Sequence, residues 1–318
     1  MRGRIIRGIG GLYYVSCRFG DDAEGIGEAG IQGKQGGGLY ECSAKGIFRR
    51  EGKKPLVGDE VEIDVLDRDK LTGNIRELLP RRSELIRPAA ANVDQALVIF
   101  AILQPRPSFN LLDRFLIMMG QRDIPCIICF NKLDLDENGD GERYARIYRG
   151  CGYPVLTVSA RLGEGMEALK GMLEGKVTAV AGPSGAGKSS LINRLQPHVV
   201  METGEISARI ERGKHTTRHT ELIPLGEESY ILDTPGFSSL GLFDLKKEEL
   251  AEYYPEFAQH ERQCRFGGCA HIREQVCGVK DAVAQGDISK IRYDNYCLLY
   301  EELNALQSRG GYARVKRI

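Results

Sequence analysis

The chain contains the stretch Gly182-Pro183-Ser184-Gly185-Ala186-Gly187-Lys188-Ser189, which follows the apolar segment Val177–Ala181 and precedes a helical pattern over Ser190–Leu195. A strand, a loop and a helix in this order are the setting that the pattern G-x-x-x-x-G-K-[S/T] requires. The glycines let backbone N–H groups turn toward phosphates, and the start of the helix adds a favourable dipole. We therefore predict a nucleotide-binding loop over 182–190 rather than a glycine-rich turn with a chance lysine. Lys188 would reach the β- and γ-phosphates, and the Ser189 hydroxyl would be a ligand of Mg²⁺.

Two motifs nearer the N-terminus indicate that the base is guanine. Asn131-Lys132-Leu133-Asp134 follows the apolar segment Cys126–Phe130, and Ser159-Ala160 follows the apolar segment Val155–Val158. The carboxylate of Asp134 can accept from guanine N1–H and from the exocyclic amine, a pair of donors that adenine lacks. Asn131 can bond the purine and the loop backbone, the Lys132 stem can lie along the base, and a backbone N–H at Ser159-Ala160 can bind guanine O6. GTP is therefore predicted rather than ATP.

The residues that would carry hydrolysis lie after the phosphate loop. Asp233-Thr234-Pro235-Gly236 follows an apolar segment, so that Asp233 would hold Mg²⁺ through water and Gly236 would offer its N–H to the γ-phosphate. The next residue is Phe237, where small GTPases often carry a glutamine that orients the attacking water, so slow intrinsic hydrolysis is predicted. The segment Gly213–His219 stands where a switch loop belongs. Thr216 or Thr217 would bind Mg²⁺, and His215 is either the water-positioning residue or a solvated loop histidine.

The order of these motifs is unusual for a GTPase. An ordinary GTPase carries the phosphate-binding loop first and the guanine-binding motifs last, whereas here both guanine-binding motifs precede residues 182–189. The order indicates a circular permutation, in which the chain after Gly236 runs directly into the next region.

Three regions can be separated along the chain. Residues 1–85 contain short alternating segments between glycine-rich turns, which favour a small β-barrel. Residues 86–245 alternate apolar segments with amphipathic ones, the pattern of a parallel sheet covered by helices. Residues 246–318 are mainly helical and polar, with a cluster of cysteine and histidine. The predicted strands are Gly11–Ser16, Leu39–Phe48, Gly58–Leu66, Thr72–Leu79, Ala96–Leu103, Cys126–Phe130, Val155–Val158, Val177–Ala181 and Tyr230–Leu232, and two of the predicted helices are Leu111–Gln121 and Met166–Leu173.

The cysteine and histidine cluster predicts a metal site. Cys264, Cys269, His271 and Cys277 supply three thiolates and an imidazole within a short polar segment, which fits one tetrahedral structural Zn²⁺ better than reduced surface cysteines. Cys126 and Cys129 form a C-x-x-C, but their spacing in a strand puts them on opposite faces, so neither a metal nor a redox site is predicted there. The remaining cysteines are expected to be ordinary packing residues.

Composition leaves several classes of function open. The chain has 318 residues with 44 basic and 44 acidic side chains, so net charge says nothing about partners. Both ends are locally basic, which favours contact with a polyanion about as well as it favours solvated tails. Candidates for phosphate contact are Arg4, Arg7, Lys45, Arg49, Arg50, Lys53 and Lys54. Apolar runs are too short for a membrane helix and no signal peptide is recognisable, so a cytoplasmic protein is expected.

Taken together, the permuted motifs and the Cys264/Cys269/His271/Cys277 set resemble the RsgA (YjeQ) family of ribosome small subunit-dependent GTPases. The resemblance covers essentially the whole chain, except that the glycine-rich stretch Glu24–Gly38 has no clear counterpart. It implies an N-terminal OB-fold for RNA, a central permuted GTPase domain and a C-terminal zinc domain. It also implies a monomer that binds the small (30S) ribosomal subunit and its rRNA late in maturation, with GTP hydrolysis to GDP and phosphate stimulated by the subunit. The family's candidate catalytic histidine matches His215.

Two other functions remain open from the residues alone. One is a nucleotide-gated RNA-binding protein with negligible hydrolysis, which Phe237 would fit. The other is a GTPase that acts on a different RNA complex. For the ribosomal GTPase, we hypothesise that γ-phosphate contacts at Gly236 and at Thr216 or Thr217 order both switches and set the orientation of the zinc domain on RNA.

Overall fold

The structure is a computed structural model that describes residues 1–17, 38–44, 48, 53–86, 89–196, 220–226, 228–233 and 245–308. It contains two compact units, and each unit draws on three separate stretches of chain. The first unit comprises Met1–Gln95, Leu173–Val180 and Leu195–Gly236, and the second comprises Ala96–Met172, Ala181–Arg194 and Phe237–Ile318. This division does not test the domain boundaries predicted near residues 85 and 245.

A closed five-stranded barrel forms most of the first unit, as the sequence predicted for this region. The strand order is β1-β2-β3-β5-β4, and β4 pairs back onto β1. Neighbouring strands are antiparallel except β3 and β5, which are parallel. The strands are β1 (Arg2–Ile9), β2 (Leu12–Cys17), β3 (Leu39–Ala44), β4 (Glu60–Asp67) and β5 (Thr72–Leu78). One side chain from each strand is almost completely buried inside the barrel: Ile5, Val15, Tyr40, Ile63 and Ile75.

Strand β1 was not predicted, although it closes the barrel. Its sequence mixes arginine, glycine and isoleucine, and a register shift between Ile5 and Arg7 interrupts the alternation that would mark a strand. Gly3 is required by packing, because a Cβ atom at this position would lie 2.5 Å from Cys17 Sγ and 2.7 Å from Ser16 O. The close approach of β1 to β2 therefore requires glycine, a residue that in a sequence pattern usually argues against a strand.

The rest of the first unit extends this sheet. Strand β11 (Val177–Ala181) is parallel to β13 (Ser229–Asp233), which pairs antiparallel with β12 (Glu221–Gly226). Strand β12 pairs with β1 at Arg7↔Glu221. Pro224 lies beyond that pairing, at a position where a residue without an N–H is tolerated in a strand. A short hairpin of β6 (Glu84–Ile86) and β7 (Ala89–Ala91) also belongs to this unit.

The second unit contains the predicted parallel sheet and its helices. Strands β8 (Gln95–Ala101), β9 (Cys126–Asn131) and β10 (Val155–Thr157) are parallel, with β9 in the middle. Every residue of β8 and β9 is buried, as expected for strands covered on both faces. The helices are α1 (Phe109–Gly120), α2 (Asp140–Arg149), α3 (Met166–Leu173) and α4 (Lys188–Leu195). Because the strands are parallel, the loops that follow them gather at one edge.

The C-terminal part of the second unit is mainly helical. It consists of 3₁₀ turns over Lys247–Tyr253, Pro255–Phe257 and Glu261–Gln263, followed by α5 (Gly278–Gln285) and α6 (Lys290–Ser308). Tyr254, Phe257 and Tyr296 form its centre, with ring centroids 4.9–5.2 Å apart. Among the described helices, none has the length and apolar composition that crossing a membrane would need.

Candidate functional site

Asn131 joins the predicted guanine-binding and phosphate-binding segments. It is the last residue of β9 and is 2% exposed. Its Nδ2 donates to Ala186 O at 3.1 Å, inside the phosphate loop, and its Oδ1 accepts from the N–H of Ala160 at 3.1 Å. One amide side chain therefore holds three loops together, as expected for a buried residue with both polar atoms satisfied. In this structure the Ala160 N–H is thus bonded to Asn131.

Asp134 is held in a fixed orientation by the second guanine motif. It lies in the 3₁₀ turn Leu133–Leu135, which is anchored where the Leu133 N–H donates to Val158 O at 3.0 Å. Ser159 is fully buried, and its hydroxyl donates to Asp134 Oδ1 at 2.6 Å. Arg161 lies 3.9 Å from Asp134 Oδ2 but is 80% exposed, so that contact is weak. The carboxylate is thus fixed through one oxygen, and its other oxygen can accept from a base.

The phosphate loop has the backbone that its glycines predict. Gly182, Gly185 and Gly187 have φ of 138°, 79° and 87°, a region that other residues rarely adopt. A Cβ atom at Gly182 would lie 2.1 Å from Ile99 O, and one at Gly187 would lie 2.4 Å from Asn131 Nδ2. The loop is therefore packed against the end of β8 on one side and against Asn131 on the other.

Lys188 and Ser189 open helix α4 at the end of this loop. Lys188 Nζ donates to Gly182 O and Pro183 O, each at 2.8 Å, so the ammonium curls back over the loop. Ser184, Gly185, Ser189 and Ser190 are exposed beside it. The arrangement offers a cation, hydroxyls and the N-terminus of a helix on one accessible face, which suits an anionic phosphate group.

A contact that the sequence did not single out lies in the loop after β8. Lys132, with φ of 68°, donates from Nζ to the carbonyl oxygen of Gln104. A Cβ atom at Gly185 would lie 3.3 Å from the Pro105 ring. This loop therefore touches both the guanine-binding and the phosphate-binding segments. A main-chain acceptor and a proline contact leave no recognisable sequence pattern, which is why the motifs did not reveal it.

The residues predicted to act in hydrolysis fall largely outside the described part of the chain. These are His215, Thr216, Thr217, Gly236 and Phe237, together with the switch segment 213–219. Residues 24–37 of the glycine-rich stretch, Lys45, Arg49, Arg50 and the basic tail also lie outside it. Asp233 is described as the last residue of β13. Its role with Mg²⁺ stays a prediction.

The predicted metal ligands come together in the C-terminal region. The ligand atoms of Cys264, Cys269, His271 and Cys277 all lie within 4.8 Å of one another. Cys264 Sγ is 3.9 Å from Cys277 Sγ, close to the about 3.8 Å that tetrahedral geometry gives two sulfurs on Zn²⁺. His271 Nδ1 is 3.6 Å from Cys264 Sγ and 3.3 Å from Cys277 Sγ. The residues present therefore fit a four-coordinate zinc ion.

The surroundings support the same reading of this cluster. Burial raises the pKa of the Cys269 thiol, and a bound cation would favour the thiolate there. Burial lowers the pKa of His271, which favours the neutral imidazole that metals bind. Its Nε2 lies 3.4 Å from Glu261 Oε1, the outer carboxylate that commonly orients a ligating histidine. Glu261 belongs to no recognisable motif and was therefore not identified from the sequence.

Cys126 and Cys129, the C-x-x-C pair, are both buried in β9, and burial raises the pKa of each thiol to about 12.

Two of the arginines proposed for phosphate contact are engaged within the first unit. Arg4 bonds Glu60 at 3.0 Å, and Arg7 lies 4.4 Å from the Tyr14 ring centroid.

Comparisons with known proteins agree with this arrangement. A family model of the RsgA N-terminal domain matches residues 2–73, and one of the RsgA GTPase matches residues 78–243. Among curated proteins, the small ribosomal subunit biogenesis GTPase RsgA of Agathobacter rectalis is 54% identical, covering 96% of this chain and 99% of the relative. The protein of the same name from Alkaliphilus metalliredigens is 46% identical, covering 95% and 97%.

Two solved structures are similar over nearly their full length. YjeQ from Thermotoga maritima has a TM-score of 0.76 and 33% identity, covering 95% of this chain and 98% of that one. YloQ, described as a circularly permuted GTPase, has a TM-score of 0.74 and 36% identity, covering 96% and 95%.

Proposed function

The chain belongs to the RsgA family of circularly permuted GTPases, and we propose that it binds the small ribosomal subunit and hydrolyses GTP during the late maturation of that subunit. The observation that carries the proposal is the pair of hydrogen bonds made by Asn131, at 3.1 Å each, to Ala186 and Ala160. They join the phosphate loop to the Ser159-Ala160 segment, whose Ser159 hydroxyl in turn holds the Asp134 carboxylate. The relatives named for ribosomal subunit biogenesis supply the partner.

In this mechanism the chain supplies positioning and electrostatic stabilisation rather than a covalent intermediate. Asp134 accepts from guanine, and the backbone N–H groups of residues 184–188 bind the phosphates. Lys188 leaves its carbonyl partners for the β- and γ-phosphates, where it offsets the charge that develops in the transition state. Ser189, Asp233 and Thr216 or Thr217 would hold Mg²⁺, which would supply positive charge beside the γ-phosphate. His215 orients the attacking water, and Gly236 donates its N–H to the γ-phosphate.

The zinc-binding region has a structural role in the proposal. With all four ligands supplied by Cys264, Cys269, His271 and Cys277, no coordination position is left for substrate, which is typical of structural sites. The ion would fold a short segment around a small core. We further propose that the protein acts as a cytoplasmic monomer and contacts the rRNA of the subunit.

The test is GTP turnover by the purified protein at fixed salt, alone and with purified small or large subunits. Stimulation by small subunits only, lost in Lys188→Ala, is the expected result. GTP binding without turnover under any condition would favour the nucleotide-gated RNA-binding protein. Stimulation only by another RNA complex would favour a GTPase that acts on that complex. Unchanged stimulated turnover in His215→Ala would remove His215 from the mechanism without affecting the rest.

A further inference from the structure

The four residues between two metal ligands form a turn that projects into solvent. Cys264 and Cys269 fix its two ends, and we call residues 265–268 the knuckle turn. Its sequence is Arg265-Phe266-Gly267-Gly268, and Gly268 has φ of 73°. A Cβ atom at Gly267 or at Gly268 would meet nothing within 4 Å. The turn is therefore anchored at its base and open at its tip.

Phe266 stands at this tip with most of its surface exposed. The side chain is 60% exposed, and the neighbouring Val276 is 52% exposed. The Arg265 N–H donates to Val276 O at 3.4 Å, which ties the turn to that residue. The guanidinium carbon of Arg265 lies 5.3 Å from the Phe266 ring centroid, so it covers at most one face of the ring. A single exposed apolar residue is ordinary, but this one is a rigid ring on an anchored turn beside a cation.

The arginines around the turn are exposed, whereas the glutamates make contacts within the same segment. Arg262, Arg265 and Arg273 are exposed, and none of them forms an ion pair among the residues that the structure describes. The two acidic residues of 261–277 are used internally. Glu261 faces His271 at 3.4 Å, and Glu274 accepts from the N–H groups of Ala270, Ile272 and Arg273 at 2.9, 2.9 and 3.0 Å. The outward charge is therefore positive.

We propose that the knuckle turn binds an unpaired RNA base by stacking it on Phe266, with Arg262, Arg265 and Arg273 contacting the adjoining phosphates. An exposed aromatic ring among arginines is the combination that single-stranded nucleic acid uses, because each base offers a π-face and each nucleotide a phosphate. A base inside a duplex is already stacked and cannot reach the ring. This inference rests on the proposed function for the identity of the RNA, which would be a single-stranded segment of the small subunit.

The test compares variants that keep or remove the ring. Phe266→Leu keeps an apolar side chain and loses the π-face, whereas Phe266→Trp keeps a ring. Leu298→Ala is the matched control, because Leu298 is a 58% exposed apolar residue in α6 of the same region. Affinity for small subunits should fall about tenfold in Phe266→Leu and stay near the wild-type value in Phe266→Trp and Leu298→Ala. Zinc content and basal GTP turnover should not change in any of them.

A second measurement uses a short single-stranded RNA that carries 2-aminopurine, whose fluorescence is quenched by stacking. Quenching by the wild type and by Phe266→Trp, but not by Phe266→Leu, is expected. Unchanged subunit affinity in Phe266→Leu would overturn the inference. An equal loss in the Leu and Trp variants would also overturn it and would favour a protein partner. If the wild type fails to bind small subunits, the proposed function fails, and the quenching experiment alone decides for or against base stacking.

Discussion

Arg292 in α6 donates a hydrogen bond to Asp113 in α1 at 2.5 Å, and both side chains are completely buried. The same guanidinium donates to Glu256 at 2.8 Å and lies 4.3 Å from the Tyr254 ring centroid. It therefore links a helix beside the guanine-binding strands to the C-terminal region. The sequence predicted that nucleotide state is coupled to the zinc-binding region through the chain that follows Gly236. The contacts of Arg292 are a separate connection, made by side chains.

The link continues from α6 to the metal cluster. Tyr293 donates from its hydroxyl to His271 O at 2.7 Å, and Tyr296 donates to Ala270 O at 2.8 Å. Both acceptors lie in the segment that carries the metal ligands. Buried networks of this kind fix one arrangement when every polar group is satisfied. The zinc-binding segment is thus held by α6, which is in turn held by Asp113.

We expect Arg292→Met to destabilise the protein by about 3–5 kcal/mol, because it leaves two buried carboxylates without their cation. The measurement is the free energy of unfolding from a urea titration, monitored with a probe that reports on the C-terminal region. Arg149→Met is the control, since Arg149 pairs with Glu142 at 2.9 Å with both side chains about half exposed, and should cost about 1 kcal/mol or less. Equal effects in the two variants would mean that the buried pair contributes no more than a surface one.

The sequence could not have predicted Arg292, and the reason is physical. An arginine in a polar helix is normally a solvated residue, and only tertiary contacts with Asp113 and Glu256 make its burial possible. By contrast, the apolar strands β8, β9 and β11 and the phosphate loop were predicted almost to the residue. Their signals are local, in apolar runs and in glycines that require positive φ.

Other elements were missed because their signals are weak or divided. Helix α2 was not singled out, since half of its residues are charged and its buried side chains include only Tyr144, Ala145 and Tyr148 besides Asp140 and Gly141. Its start is fixed by Asp136, whose carboxylate accepts from the N–H groups of Asp140 and Gly141 at 2.9 and 2.8 Å. Strand β12 was also not predicted, because it contains Pro224, which weakens a strand pattern.

Gly187→Ala should lower the affinity for both GDP and GTP by about tenfold or more, because the added methyl group displaces the buried Asn131 amide from Ala186. Gly187 has φ of 87°, and the added atom would lie 2.4 Å from Asn131 Nδ2. Fluorescent nucleotide titration measures the effect. The control is Gly171→Ala in α3, where a Cβ atom meets nothing within 4 Å. It should leave affinity unchanged, and a loss there as large as at Gly187 would refute the steric explanation.

Asp134→Asn should shift base preference from guanine toward xanthine. The amide places a donor where the carboxylate met the exocyclic amine of guanine, so GTP affinity should fall about tenfold to a hundredfold. Xanthosine triphosphate carries a carbonyl oxygen at that position and should bind better than it does to the wild type. Competition of the two nucleotides measures the ratio. Asp136→Asn is the control, since Asp136 caps α2 at 2.8 and 2.9 Å and should not change base preference.

Removal of the metal should unfold the C-terminal region before the rest of the protein. Cys277 is fully buried in the core that contains Tyr254, Phe257 and Tyr296, so the metal ligands and the apolar core depend on each other. A strong zinc chelator should release about one zinc ion per chain and expose residues 245–308 to limited proteolysis.

The same prediction separates a ligand from a nearby cysteine. Cys269→Ser should lower zinc content and reproduce the proteolysis pattern, because a hydroxyl is a much weaker ligand than a thiolate. Cys297→Ser should do neither, although Cys297 is also partly buried and lies in α6 beside Tyr293. Nucleotide binding should survive in both variants, since the described hydrogen bonds of Asn131 and Asp134 run to Ala160, Ala186 and Ser159 and not to the metal ligands. Full zinc content in Cys269→Ser would exclude that residue as a ligand and leave a three-coordinate site, which a structural zinc ion does not favour.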